Sequence, residues 1–222
     1  MMLNGFMDKQ FPGLPLRKPL FYSWDIGIRF ELGDPELDMS QKERYLREAG
    51  DRAIHLYNLL HREDDELLVV TNAHFLDQPR RHERKLNVYR RRVKDHRVLR
   101  KLSQITIPYI YAEGEKDENI ETHRFVLECR GRDLRSEHLI RSLCNADMGV
   151  KPSIEHEVYV INQTTGTIFH VYDDRGCDVI ATSTDALRGV YEVCNDWILD
   201  YDRQRIEKSF ENTTTHDSRD GF

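Results

Sequence analysis

The sequence predicts an α+β fold: a mixed sheet with a C-terminal β-meander and packed helices. Three observations carry this. Ile26, Ile28, Phe30 and Leu32 alternate with Asp25, Gly27, Arg29 and Glu31, the period of a half-buried strand. Leu46, Ala49, Ala53, Tyr57 and Leu60 recur at helical spacing behind the capping-box pattern Ser40-Gln41-Lys42-Glu43. Three short β-rich runs, 157–161, 167–172 and 178–182, are joined by Asn162-Gln163-Thr164-Thr165-Gly166 and by Asp173-Asp174-Arg175-Gly176. Both connections have hairpin turn chemistry.

Element by element, residues 1–20 hold Pro12, Pro15 and Pro19 with Gly5 and Gly13, which predicts an irregular arm. Residues 21–211 are expected to form one α+β domain, with sub-lobes 21–113 and 121–211 as its natural division. After the first strand and the long helix, the continuous apolar run Leu67-Leu68-Val69-Val70 suits an interior strand. A basic amphipathic helix follows, with Leu86, Tyr89 and Val93 on one face and Val98, Leu99 and Leu102 continuing its burial. Residues 105–112 read as a strand whose Pro108 removes a ladder donor, which places it at an edge or bulge. An acidic hairpin loop at 113–121 leads into a strand at 122–130. Ser136 can cap the next helix, carrying Leu139, Ile140 and Leu143. Beyond the meander, helices are expected at 185–194, with Leu187, Val190, Tyr191 and Cys194 on one face, and at 201–210. The polar stretch 212–222 reads as a disordered tail.

Composition excludes several classes of protein. A chain of 222 residues, 39% hydrophobic and 32% charged, can bury a core without disulfides or metals. Cys129, Cys144, Cys177 and Cys194 are widely spaced and match neither a disulfide framework nor a zinc site. They are expected to be reduced thiols packing as small hydrophobes, which fits a cytoplasmic location. Met1 to Pro19 lacks the charged and apolar regions of a signal peptide, and no apolar run approaches the roughly 20 residues of a membrane span. No nucleotide-binding glycine loop, nucleophile elbow or metalloprotease helix is present, so no cofactor and no metal is expected.

Charge is unevenly placed. Pro79 to Lys101 holds eleven basic and two acidic residues, a net +9, against −15 for the rest of a chain totalling −6. Arg80, Arg81, Arg84, Lys85, Arg90, Arg91, Arg92 and Lys94 could form a surface for nucleic acid or an acidic partner. The plainer reading, which we prefer on sequence, is a solvated helix face. Tyr89 is the sole aromatic in the stretch, which argues against a base-stacking platform.

Other polar groups are read with their plainer roles beside them. Tyr172, Asp173, Asp174 and Arg175 are weak catalytic candidates: two adjacent carboxylates can share a proton or hold a cation. A hairpin turn explains them better, with Asp bonding local N–H groups and Gly176 supplying positive φ. Arg29 and Glu31 share a strand face, and an in-strand or cross-strand ion pair is the first expectation. The sharper alternative has Arg29 anchoring an acidic ligand or the Asp200 and Asp202 segment. Trp197 is a binding candidate as an interface anchor, though a lid over the meander is the simpler role.

FYSWDIGIRFELG (21–33), FHVYDDRGCDVIA (169–181) and LRGVYEVCNDWILDYDR (187–203) resemble a bacterial family known only as a domain of unknown function. The resemblance covers most of 20–211 and implies no activity, cofactor or site residue. The last segment is also loosely similar to small immunity proteins of bacterial toxin systems, an analogy of fold rhythm alone. Three readings follow in order: a protein-interaction module, in the sharpest form an antidote to a toxin, with one protein partner; a nucleic-acid binder using 79–101; and an enzyme of unknown type, the least favoured. No membrane partner is expected, and a homodimer is left open.

Overall fold

A computed structural model of the chain describes residues 2–37, 39–76, 87–112 and 119–214. Its frame is a seven-stranded sheet built from β1 (Gly27–Glu31), β2 (Glu66–Leu76), β3 (Leu102–Pro108), β4 (Ile120–Arg130), β5 (Glu157–Asn162), β6 (Thr167–Val171) and β7 (Gly176–Ala181). The strand order is β1-β7-β6-β5-β2-β4-β3. The α+β class and the meander β5-β6-β7 match the sequence reading. The sheet is not mixed, however: every pairing is antiparallel. The long connection from β2 to β5 returns the chain beside β2 in the opposite sense, so the intervening helix produces no parallel neighbour. Strands from 21–113 and 121–211 interleave within this one sheet.

β2 and its partners β4 and β5 carry apolar side chains on both faces, so both faces must be covered. Leu67, Val69, Phe125, Leu127, Val158, Val160, Phe169 and Val179 point to one face. There α2 (Lys42–Leu60) lays down Leu46, Ala49, Ala53, Leu56 and Leu60, joined by α4 (Ser136–Cys144), α5 (Asp185–Val193) and α6 (Asp200–Thr214). The helix starts at Lys42, one residue later than a cap at Ser40 implies, because 39–41 form a 3-10 turn and the cap position falls to Gln41.

Leu68, Val70, Val126, Tyr159, Ile161, Ile168 and Ile180 face the other way. Their cover corrects the expectation of an irregular arm at 1–20. Residues Met2–Gln10 form a helix, α1, and Leu3, Met7, Phe11, Leu14, Leu16 and Leu20 fill this second core. The signal was the i, i+4, i+8 spacing of Leu3, Met7 and Phe11, overshadowed by Gly5 and the prolines. Asn72 on β2 donates through Nδ2 to the Leu16 carbonyl at 2.9 Å, and Arg124 Nε donates to Asn72 Oδ1 at 2.8 Å, which fastens the segment to the sheet.

The basic helix is also corrected. Among the described residues of the stretch only Asn87–Arg92 is α-helical (α3); a 3-10 helix takes His96–Lys101 and β3 begins at Leu102. The break lies where Val93 pairs with Leu134 as an antiparallel bridge. Lys94 N–H donates to the Asp133 carbonyl at 2.8 Å and Arg135 N–H to the Arg92 carbonyl at 2.7 Å. Tertiary pairing thus outbids the amphipathic periodicity. Leu86, the expected loop residues 113–118 and the tail from 215 lie outside the described residues, while 212–214 are helical as part of α6. β3 does lie at a sheet edge, as Pro108 implies.

All four cysteines are free and buried, and burial pushes the Cys194 thiol up to about 11, so it packs as an inert hydrophobe. Among the described residues no helix is long and apolar enough to cross a membrane.

His61 ends α2 with its ring stacked on Tyr57 and its Nδ1 2.9 Å from the Tyr57 carbonyl, while Nε2 is buried without a partner. Burial lowers its pKa to about 4. The folded state therefore disfavours the proton that the unfolded state accepts near 6.5. Stability conferred by neutral His61 is present above that value and lost as pH falls toward 4, by roughly 3 kcal/mol in full. Urea unfolding at pH 7 and pH 5 should show the loss, and His61→Gln should flatten the slope between them.

Candidate functional site

The bridge that breaks the basic helix also builds a groove. Arg90, Arg91, Arg92, Val93 and His96 meet Arg135, His138 and Pro152 around a volume of about 370 Å³. Arg90, Arg91, Lys94, Arg135 and His138 are exposed, whereas Arg92 is only 5% exposed. Its Nη2 donates to Ser142 Oγ at 2.6 Å, and Ser142 in turn donates to the His138 carbonyl. Arg92 Nε is buried with no hydrogen-bond partner among the described residues. Among the described residues no carboxylate lies within ion-pair distance of Arg90, Arg91, Arg92 or Arg135. Burial, and Arg91 beside it, lower the pKa of Arg92. Asp95 is committed elsewhere, pairing with Arg97 at 2.7 Å.

Sequence reasoning named Arg90, Arg91, Arg92 and Lys94 but missed Arg135 and His138, which lie over forty residues downstream and join only through the bridge. Arg80, Arg81, Arg84 and Lys85 lie outside the described residues. Tyr89 is unavailable for stacking: its hydroxyl is in the core, 2.8 Å from Thr71 Oγ1 and 3.1 Å from the Val69 carbonyl.

The other candidates are placed apart from this groove. Arg29 stands opposite Asp178 in the β1–β7 register and grips it with two bonds, Nε to Oδ1 at 2.7 Å and Nη2 to Oδ2 at 2.9 Å. Its guanidinium also lies over the rings of Tyr22 and Tyr172, at 4.7 and 4.9 Å. This is cross-strand pairing, with a partner the sequence reading did not name. Glu31, half-buried, sits opposite Gly176. Asp202 is buried and accepts from the Tyr22 hydroxyl at 2.9 Å; Asp200 is exposed and lies 3.4 Å from Arg203. Trp197 packs on α2 rather than over the meander, with His55 at 5.6 Å and Arg52 over its ring. The exposed aromatic of that stretch is Tyr201.

The turn 173–176 behaves as a turn with one exception. Asp173 accepts the Arg175 N–H at 2.8 Å and also holds the Arg175 guanidinium. Gly176 does not supply positive φ; a Cβ there would come within 2.7 Å of the Phe30 carbonyl, so glycine is needed for close approach of β1. Asp174 is buried and hydrogen-bonds Tyr45. Burial raises its pKa, outweighing the Tyr45 bond. Among the described residues no group of three or more His, Cys, Asp or Glu side chains could hold a metal ion.

Two substitutions check these roles. The folded state penalises the Asp174 carboxylate, so that penalty is absent at low pH and grows as pH rises through the raised pKa. Asp174→Asn should therefore raise Tm at pH 7, with the gain shrinking in acid; a fall in Tm at pH 7 would refute this. Arg29→Met should cost about 3–5 kcal/mol by leaving Asp178 buried and charged, and adding Asp178→Asn should recover much of it, as read by a double-mutant cycle in urea.

Comparison with known proteins agrees with the sequence resemblance. A model of the family described as "Domain of unknown function (DUF3885)" matches residues 3–202. An uncharacterised Bacillus subtilis protein, YnaE, is 32% identical over 211 residues, covering 90% of this chain and 99% of that protein. No solved structure matches. The family match spans the sheet, nearly all of the N-terminal cover, helices α2, α4 and α5 and the groove-forming bridge, and on that ground the chain belongs to the DUF3885 family.

Proposed function

We propose that the protein works by contact with another protein, holding an acidic segment of that partner in the groove of Arg90, Arg91, Arg92 and Arg135. One observation carries this reading: four guanidiniums line one groove with no carboxylate paired to them among the described residues. Several surface arginines elsewhere are paired, as in Arg44–Glu48, Arg132–Asp64 and Arg141–Asp51, whereas scattered ones such as Arg47 and Arg62 are not among the described residues, and what sets the groove apart is that its four guanidiniums converge. Unpaired like charges repel, and an arriving anion relieves that repulsion while steering the encounter.

A compact groove favours a short acidic segment over an extended phosphate backbone. Nucleic acid would need a basic track continuing past the groove and, for single strands, exposed rings for stacking. The acidic surplus of the remaining chain opposes the first, and Tyr89, the one Phe, Trp or Tyr of the basic stretch, is buried.

The test is fluorescence anisotropy with a labelled hexaglutamate peptide and the full chain at low salt. Binding should weaken steeply with added salt, and the double reversal of exposed residues Arg90→Glu and Arg91→Glu should reduce affinity by at least roughly tenfold, the loss of about 1.4 kcal/mol. No binding, or binding indifferent to the reversal, overturns the reading. Tighter binding of an unphosphorylated twelve-nucleotide single strand that is equally sensitive to the reversal transfers the groove to nucleic acid.

A further inference from the structure

We infer that Arg92 and the start of α4 form a subsite for a single phosphate group, so that the segment held in the groove carries a phosphorylated side chain; this rests on the partner-segment reading above. The buried member of the groove's lining is the argument's centre. Arg92 is 5% exposed and retains one buried N–H, on Nε, with no acceptor among the described residues. A buried donor without an acceptor and a buried charge without a counterion are both unfavourable, and one incoming oxyanion satisfies both.

The second element is independent of that side chain. α4 spans nine residues, its N-cap is Arg135, and the Arg135 side chain makes no capping hydrogen bond. Most helices place an oxygen acceptor there. Here the cap position presents a cation instead, and both Arg135 and His138, at the helix's third position, line the same groove as Arg92. The first-turn N–H groups and the positive end of the helix dipole attract an anion to this place. The bridge fixes the two elements together, since Arg135 N–H donates to the Arg92 carbonyl.

The donor set selects the shape of the anion. A carboxylate is planar and offers two oxygens carrying one charge. A phosphate monoester offers three terminal oxygens in a tetrahedral arrangement and close to two charges at neutral pH. Guanidiniums from α3 and from the start of α4, together with helix N–H groups, approach from different directions and supply more than one positive charge. That set matches a tetrahedral dianion better than a planar monoanion.

The experiment compares three ligands on the full chain by isothermal titration calorimetry: the hexapeptide Glu-Glu-Ser-Glu-Glu-Glu with its serine phosphorylated, hexaglutamate, and inorganic phosphate. The phosphopeptide should bind at least about tenfold more tightly than hexaglutamate. Arg92→Met, which removes a buried charge and should leave the fold intact by far-UV circular dichroism, should abolish that preference, weakening the phosphopeptide at least about tenfold more than it weakens hexaglutamate. Arg135→Gln, at an exposed site, should reduce the preference without touching the core. Equal affinity of both peptides for the wild type overturns the subsite and leaves the partner-segment reading standing. Failure of both peptides overturns that reading; phosphate binding lost in Arg92→Met then supports the subsite alone, and no phosphate binding overturns it too. A 5′-phosphorylated oligonucleotide that binds more tightly than the phosphopeptide, with the same dependence on Arg92, keeps the phosphate chemistry and overturns its assignment to a protein.

Discussion

The structure depends on one constraint: its interior strand β2 is apolar on both faces. Leu67 and Val69 of β2 point to one side, Leu68 and Val70 to the other, and all four are buried. A sheet of this kind needs two covers. Helices α2, α4, α5 and α6 supply one. The N-terminal twenty residues supply the other, and their six buried apolar side chains make that segment part of the core. The polar groups among them serve the same end. Asn72, on β2 itself, bonds the Leu16 carbonyl, while Phe21 N–H donates to Asp178, the carboxylate that Arg29 grips. Charge and amide groups on this face hold the cover down.

The same economy of contacts explains where the groove comes from. An uninterrupted basic helix would present its arginines to water along its length. Pairing of Val93 with Leu134 stops the helix after Arg92 and draws in the chain just ahead of α4. The pairing buries Val93 and Leu134, which favours it, and it places Arg92 beside Arg135 and His138 as a consequence. A packing decision at two apolar residues therefore creates the electrostatic feature of the molecule.

How far the sequence discloses this follows from the range of the interactions involved. The meander was legible because its hairpins are local: Asn162 accepts from Thr164 and Thr165 N–H groups, and Gly166 takes φ +69°. The long helix was legible from the period of Leu46 to Leu60. The N-terminal helix was obscured because Gly5 lowers local helix propensity and its stabilisation comes from Tyr159 and Ile168, far along the chain. Arg29 was visible as a cation on the strand face opposite the apolar one, but its partner followed only from the register that sets it opposite Asp178. Arg135 carried no signal of its own. Its role exists only because a bridge, invisible to periodicity, brings it to Arg92.

Three arginines that are buried or partly buried separate stability from function. Arg29 has its carboxylate, and its guanidinium lies over the rings of Tyr22 and Tyr172. Arg124 has no carboxylate, yet its Nε donates to Asn72 and its Nη2 faces the Leu16 carbonyl, so neutral acceptors occupy it and it clamps the N-terminal segment. Both serve the fold. Arg92 is more buried than either, and it has one hydroxyl acceptor and one orphaned donor. A methionine would fill the same space without the desolvation cost of the charge, which is several kcal/mol for a buried ion. Among the described residues a single hydroxyl acceptor leaves the Arg92 charge uncompensated, and that deficit beside a groove already rich in guanidinium is the physical ground for the proposed oxyanion.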